Sequence, residues 1–315
     1  AHTPGLVNDF FVGEYGVITM ALTYGIGIVL PITCTFFFFF AFLEDCGYLP
    51  RLAFLVDGIL KPIGLTGRAI LPLVLGLGCG TMATLTTRIL DTKKEKIIAT
   101  ILLALAIPCS AQLGVILGIL GSISILAIFI WLLMILIVML VIGGILNIII
   151  PGENIFSMEI PPIRVPGIKN IGIKTGRRVM WYLKEALPLF VIGTMILFIL
   201  DKTGAIKYII NLFSPFVTTM GLPLEMSKIF IIGFLRRDYG AAGMYELAKE
   251  GILNPTQTIV GATVLSLFVP CIAQFFVIIK ERGLSLAFFI LIFTTLIAFI
   301  IGFLLNVILL ATGLF

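Results

Sequence analysis

The sequence predicts an all-α polytopic membrane protein made of two inverted structural repeats with broken and re-entrant helices. Three observations predict it: charge-free runs long enough to cross a bilayer, helix breakers that recur at a constant spacing, and a crossing count that inverts the second half. Of 315 residues, 60% are hydrophobic and 12% charged, and the mean hydropathy of +1.21 lies far outside the range of soluble domains. No charge occurs between Glu14 and Glu44, between Lys96 and Glu153, between Glu250 and Lys280, or after Arg282. A hydrocarbon core of roughly 30 Å takes about 20 helical residues, so these runs hold at least five crossings, two of them in the run after Lys96. Residues 186–200, extended back over Trp181, supply a sixth. Strict apolar and polar alternation, the mark of an outer-membrane barrel, is absent, and helices are the remaining way to satisfy a backbone in lipid.

Composition narrows the function classes further. Five Cys without CxxC or zinc-type spacing do not make a disulfide framework. The net charge of +5 sits mostly in loops, which reads as orientation and headgroup contact and not as nucleic-acid binding. Ala1-His2-Thr3-Pro4 has no basic region ahead of the apolar run, so the expectation is a fragment start or a processed end, not a cleavable signal peptide.

An internal repeat organises the chain. Pro31 and Pro188 differ by 157, as do Gly47 and Gly204, Gly64 and Gly221, and Gly76 and Gly233. Pro108 and Pro270 differ by 162, as do Cys109 and Cys271, and Gln112 and Gln274, which places the extra residues of the second half near 249–254. Each half then reads alike. A long first helix (residues 17–43 and 178–200) runs into a polar turn, Glu44-Asp45-Cys46-Gly47 or Asp201-Lys202-Thr203-Gly204. An amphipathic segment follows, residues 49–63 in the first half, where Arg51, Asp57 and Lys61 stand beside Leu52, Phe54, Leu55, Ile59 and Leu60 as in a helix lying at the membrane interface. Next comes an interrupted segment (70–88 and 229–247), broken at Gly76-Leu77-Gly78-Cys79-Gly80 or Arg236-Arg237-Asp238-Tyr239-Gly240. A proline-broken helix and a last unbroken one (123–150 and 284–310) complete the half. The division expected is a first repeat over residues 1–150, a cytoplasmic connecting loop over 151–177 and a second repeat over 178–315.

With each interrupted segment as a re-entrant hairpin, each half crosses three times, and an odd number inverts the second half. Arg51, Lys61, Arg68, Arg88, Lys93, Lys94 and Lys96 then share a side with Arg164, Lys169, Lys174, Arg177 and Arg178 of the connecting loop and with Lys280 and Arg282. By the positive-inside rule that side is cytoplasmic and both ends lie outside. Lys202, Lys207, Lys228 and Lys249 are the weaker contrary set.

The stretches Ile107-Pro108-Cys109-Ser110-Ala111-Gln112-Leu113 and Val269-Pro270-Cys271-Ile272-Ala273-Gln274-Phe275 are near copies. Pro removes a backbone donor and breaks a helix, while Cys and Gln bring metal-competent atoms into an apolar setting. Such interruptions are tolerated in lipid where the freed backbone faces protein or a cavity, so a repeated one marks a candidate binding site of a secondary transporter or permease.

Leu43-Glu44-Asp45-Cys46-Gly47-Tyr48-Leu49-Pro50-Arg51, then Gly76-Leu77-Gly78-Cys79-Gly80 ahead of Thr87-Arg88, then Pro108-Cys109-Ser110-Ala111-Gln112, and Phe234-Leu235-Arg236-Arg237-Asp238-Tyr239-Gly240-Ala241-Ala242-Gly243 resemble, in order along nearly the whole chain, the membrane region of the ferrous-iron transporter family FeoB. The resemblance implies uptake of Fe2+ across a prokaryotic cytoplasmic (inner) membrane, with the two repeats as paired gate regions, Fe2+ as the transported substrate and no permanently bound cofactor. It implies as partners the lipid bilayer, a GTPase domain, a small cytoplasmic accessory protein and further copies of the chain, and no nucleic acid. These residues hold no GxxxxGK[ST] stretch, for which Gly67-Arg68-Ala69 is no substitute, and no Asn-Lys-x-Asp. GTP hydrolysis is therefore expected only from a separate or missing domain, and no enzyme activity from this chain. Cys46 stands where the family more often has Ser, so it is not taken as a ligand. A gate-repeat transporter of nucleosides or other small organic solutes is the alternative; it would need a roomier pocket with ring-stacking and hydrogen-bonding groups, and the paired Cys argue against it.

Fe2+ accepts imidazole, thiolate, carboxylate and amide or carbonyl oxygen. The one His, His2, lies outside the membrane runs, which leaves Cys79, Cys109, Gln112, Cys271, Gln274 and Asp238 as metal candidates. Each has a structural alternative. Cys packs well as a small hydrophobe, and Gln112 and Gln274, three residues after their Cys on the same helix face, make good interhelical hydrogen bonds. The Gly76-x-Gly78-x-Gly80 run frees backbone carbonyls near Cys79. Arg236 and Arg237 would repel a dication, so they are expected to be structural locks on Asp238 or on a helix C-terminus, since intramembrane charge is costly without such pairing. Glu44 and Asp45 are read either as gating acids that receive the exiting ion or as turn acids bridged to Arg51.

Overall fold

The fold is described from a computed structural model over residues 27, 30–152, 166–202, 204–268 and 270–312. Helix α1 (Leu30–Asp45) ends in a tight turn at Gly47, and α2 (Tyr48–Leu60), with the single turn of 3-10 helix Lys61–Ile63 after it, leaves at 82°. The amphipathic pattern of α2 is realised: Leu49, Ala53 and Leu60 are buried while Phe54, Leu55 and Ile59 are exposed. Helices α3 (Ile70–Gly78) and α4 (Gly80–Thr86) then fold back on each other about Cys79, whose backbone is extended at φ −150° and ψ 113°. A Cβ on Gly76 would lie 3.7 Å from that of Ala83, whereas seven residues of continuous helix would separate the two by about 10 Å.

Helix α5 (Lys93–Leu105) starts at a capping box in which the Glu95 backbone N–H donates to Thr92 Oγ1 at 3.2 Å and Thr92 N–H donates to Glu95. Pro108 stops it, α6 (Ser110–Ile123) resumes at 42°, and Ser124 caps α7 (Ile125–Ile149) through a 3.2 Å bond from Ala127 N–H.

The second half repeats these devices with α8 (Ile168–Lys202), α9 (Ala205–Thr219), α10 (Glu225–Leu235), α11 (Arg237–Lys249), α12 (Pro255–Leu267), α13 (Ile272–Arg282) and α14 (Leu284–Thr312). Gly47 and Gly204 sit at φ 76° and 73°, Gly64 and Gly221 at 78° and 72°. At the second pair the left-handed backbone calls for glycine, and neighbouring side chains sit close: a Cβ on Gly64 would meet Ile98 Cδ1 at 2.7 Å, and one on Gly221 would meet Asn306 Nδ2 at 2.8 Å. The Thr92 capping box returns at Asn254, whose N–H donates to Gln257 Oε1 at 3.0 Å. Part of the extra length of the second half goes into α11, which has 13 residues where α4 has 7 and the single turn of 3-10 helix Thr87–Ile89 that continues it has 3.

No strand occurs among the described residues, and the chain is an all-α, multi-pass membrane protein. Helices α7 and α14 and the broken pair α12–α13 are long and apolar enough to cross a bilayer, as are the bent pairs α1–α2 and α5–α6 when each is taken as one span. The side chains of α5 and α12 are almost all buried, while α7 and α14 expose Leu132, Leu133, Leu136, Ile292, Leu296 and Ile300. Such an outside, as apolar as the inside, suits a lipid solvent, which exerts no hydrophobic penalty on exposed leucine.

By its internal contacts the chain forms two compact units that cut across the sequence halves. One is residues 1–56 with 156–207; the other is residues 57–155 with 208–315. In the first, α1 packs on α8. The expected connecting loop of residues 151–177 is shorter than the sequence suggested, because α8 is helical from Ile168. Lys174 and Arg178, one turn apart on that helix, are held by acids at the end of α1, so the basic stretch read as a loop is drawn into helix. The opening of the first long helix before residue 27, Arg164, Thr203 and Val269 lie outside the described residues.

Candidate functional site

Cys79, Cys109, Gln112, Cys271, Gln274 and Asp238 all belong to the unit of residues 57–155 and 208–315. Cys79 is the single extended residue between α3 and α4, and Cys109 and Cys271 occupy the extended N-cap positions of α6 and α13, at φ −77° and −61°. Three chain breaks thus each deliver a half-buried thiol that is in no disulfide, and polar contacts beside them tie the breaks to one another. Among the described residues no three of His, Cys, Asp and Glu are gathered tightly enough to hold a metal ion, so any ion here draws on oxygen donors as well.

The oxygens at hand come from the breaks themselves. Ser110 Oγ donates to Gly78 O at 3.1 Å, tying the start of α6 to the end of α3. Gln112, fully buried, donates through Nε2 to Leu265 O in the last turn of α12 at 2.8 Å, while its Oε1 is buried with no hydrogen-bond partner. A buried amide oxygen without a donor loses its hydration and gains nothing in return. Gln274, also buried, donates to Thr84 Oγ1 at 3.3 Å, and Thr81 Oγ1 lies 3.9 Å from Cys271 Sγ. Gly80 makes room for this amide, since a Cβ there would stand 2.7 Å from Gln274 Oε1.

The charged tip divides its work between two arginines. Arg236 pairs with Asp238 through Nε at 3.2 Å and through Nη2, and stacks over Tyr239 with its guanidinium carbon 4.5 Å from the ring centre. Arg237 reaches into the other repeat and donates to Ala104 O at 2.7 Å and to Ile107 O at 3.0 Å. Those carbonyls end α5 just before Pro108, so the guanidinium supplies donors that the broken helix lacks.

Glu44 and Asp45 belong to the other compact unit. Glu44 pairs with Arg178 and, at 3.3 Å, with Lys174; Asp45 accepts from Lys174 Nζ at 3.2 Å and from Gly167 N–H at 3.0 Å. The bridge expected to Arg51 is thus replaced by bridges to α8, which presents its basic turn to the end of α1. Sequence reading overlooked Thr81, Thr84 and Thr87, although a spacing of three marks one face of a helix. It overlooked them because threonine is unremarkable in an apolar helix until its partners are known.

The family model described as "Gate: Nucleoside recognition" matches residues 26–123 and again residues 183–285. A second model, "Ferrous iron transport protein B C terminus", matches residues 128–178 between them. The Fe(2+) transporter FeoB of Staphylococcus aureus strain COL is 27% identical over 295 residues, covering 84% of this chain and 44% of the relative. The protein of the same name from Methanocaldococcus jannaschii is 24% identical over 322 residues, 90% of this chain and 48% of the relative. That of Salmonella typhimurium strain LT2 is 33% identical over 186 residues, 55% of this chain and 23% of the relative. The chain therefore spans less than half the length of these relatives. No solved structure matches it.

Proposed function

We infer, from the fact that the chain belongs to the Gate family and carries the membrane region of ferrous iron transport protein B, that it forms the path by which Fe2+ enters a prokaryotic cell across its cytoplasmic membrane. The observation that carries this reading is that three helix breaks, at Cys79, Cys109 and Cys271, are tied to one another: Ser110 Oγ donates to Gly78 O at 3.1 Å, and Thr81 Oγ1 lies 3.9 Å from Cys271 Sγ. A thiol gives up its proton to a metal and takes it back when the metal leaves, so such a site binds an ion transiently and lets it go. The unsatisfied Oε1 of Gln112 and the amide of Gln274 supply oxygen donors of the kind Fe2+ accepts. Asp238, engaged by Arg236, is the lesser ligand. Glu44 and Asp45, engaged by α8, act as structural acids at the cytoplasmic turn.

The two repeats run antiparallel across the membrane, with the basic residues of the helix ends on the cytoplasmic side. A GTPase domain, as a further part of the same polypeptide or as a separate one, regulates the path, docking near residues 44–61 and 164–178. An accessory protein and copies of the chain complete the assembly. Radioactive Fe2+ uptake by cells producing the protein, with Mn2+, Zn2+ or a nucleoside as competitor, tests the reading. Fe2+ uptake insensitive to nucleoside is expected; nucleoside uptake without iron uptake would replace it with the organic-solute alternative.

A further inference from the structure

Between α4, with the 3-10 turn Thr87–Ile89 that continues it, and α13 the polar groups pair in register from the thiol level to the charged helix ends. Thr81 Oγ1 lies 3.9 Å from Cys271 Sγ, Gln274 Nε2 donates to Thr84 Oγ1 at 3.3 Å, Arg282 Nη2 donates to Thr87 Oγ1 at 2.7 Å, and Arg88 Nε donates to Glu281 Oε2 at 2.8 Å. The hydroxyls of Thr84 and Thr87 donate along their own helix, to Gly80 O at 2.9 Å and Thr84 O at 2.7 Å, which turns their lone pairs toward α13. Thr81, Thr84 and Thr87 are all buried.

The repeat supplies a built-in control. Its equivalent seam, between α11 and α6, also packs closely, but past Gln112 it is apolar. Ala241 and Met244 stand in place of Thr84 and Thr87, and Ile119 and Leu120 in place of Glu281 and Arg282, all four buried. Helix packing at this joint therefore does not call for hydroxyls. Buried polar groups cost free energy unless bonded, and the Gln274–Thr84 and Arg282–Thr87 bonds, whose threonines are replaced by Ala241 and Met244 in the twin, are not a packing requirement.

We propose that the α4/α13 seam is the route by which the cation leaves the thiol level, and that its twin between α6 and α11 is a dry seal. This rests on the iron-transport reading and adds the direction of exit. An ion stripped of water moves only past groups that replace its hydration; the hydroxyl oxygens of Thr81 and Thr84 and the Gln274 amide oxygen are such groups, and Glu281 waits at the end. The Arg88–Glu281 and Arg282–Thr87 contacts hold the seam shut and must part for passage.

The test measures radioactive Fe2+ uptake by cells producing the full protein with Thr81→Val or Thr84→Val, their Ser counterparts, and Thr100→Val, with membrane levels of each determined in parallel. Thr100 is buried and its hydroxyl bonds only to Lys96 O of its own helix. At equal membrane levels the Val variants are expected to lose uptake about tenfold, the loss of one bonded partner per step, while the Ser variants and Thr100→Val keep it. Wild-type uptake in the Val variants would overturn the proposal, as would an equal loss in the Ser variants or in Thr100→Val, which would show a packing effect. Absorption of Co2+ by purified protein scores the thiols separately. No thiolate-to-cobalt band, with the hydroxyl dependence intact, would remove the thiol site and leave the seam standing. No Fe2+ uptake by the unsubstituted protein would overturn both.

Discussion

Gly233 and Gly240 meet backbone to backbone across the α10–α11 hairpin, close enough that a Cβ on Gly240 would lie 2.6 Å from Gly233 Cα. The pair stands 157 residues after Gly76 and Ala83, which face each other across the α3–α4 hairpin, and the tips between them, Cys79 and Arg236, share an extended backbone at φ −150° and −146°, both with ψ 113°. One hairpin geometry thus presents a thiol in the first repeat and a guanidinium in the second.

Gly240→Ala should therefore destabilise by about 3 kcal/mol, because backbone cannot move aside as a flexible side chain can. The first hairpin already accommodates Ala83, so Ala83→Gly should cost no more than about 1 kcal/mol. Thermal unfolding in detergent checks both. Equal effects at the two positions would contradict the contact.

Arg237→Ala should cost about 2 to 3 kcal/mol, since it strands the carbonyls of Ala104 and Ile107 in a buried place. Arg237→Lys should recover only part of this, because a single ammonium lacks the planar fork that serves two carbonyls at once. The same unfolding measurement reads the order wild type, Lys, Ala; an Ala variant as stable as wild type would remove the capping role.

The sequence carried much of this architecture because helix breakers are local. Pro108, Gly47, Gly64 and Cys79 act where they stand, and the offsets of 157 for the glycines and 162 for the Pro-Cys breaks revealed the repeat before any contact was known. The amphipathic α2 was legible for the same reason. What was not legible depends on partners distant in the chain. Nothing near Glu44 announces Lys174 and Arg178, and nothing near Thr84 announces Gln274, 190 residues away. The start of α8 at Ile168 was missed because a basic stretch reads as solvated loop until the acids that neutralise it are found.

The proposed antiparallel arrangement makes a labelling prediction. Asp91 precedes the bent pair α5–α6, whose two helices together are long and apolar enough for one span, and Gly121 lies in the last turn of α6. Single-cysteine variants at the two positions should be modified by an impermeant reagent from opposite faces of the membrane, Asp91→Cys from the cytoplasmic face. Modification of both from one face would remove the odd crossing count, and with it the inversion of the repeats.

The central claim is that the thiols of the paired Pro-Cys breaks handle the ion, and Fe2+ uptake by Cys109→Ser, Cys271→Ser and the double variant tests it most directly. Each single substitution should lower uptake about tenfold or more, at least the effect expected for a group next to a metal ligand, with membrane levels and unfolding unchanged. Cys46→Ser, whose thiol only bonds to Leu43 O, should be nearly silent. Full uptake by the Cys109→Ser/Cys271→Ser double variant would contradict the claim: these sulfurs would then be packing groups, and the path would run past Cys79 and Asp238 instead.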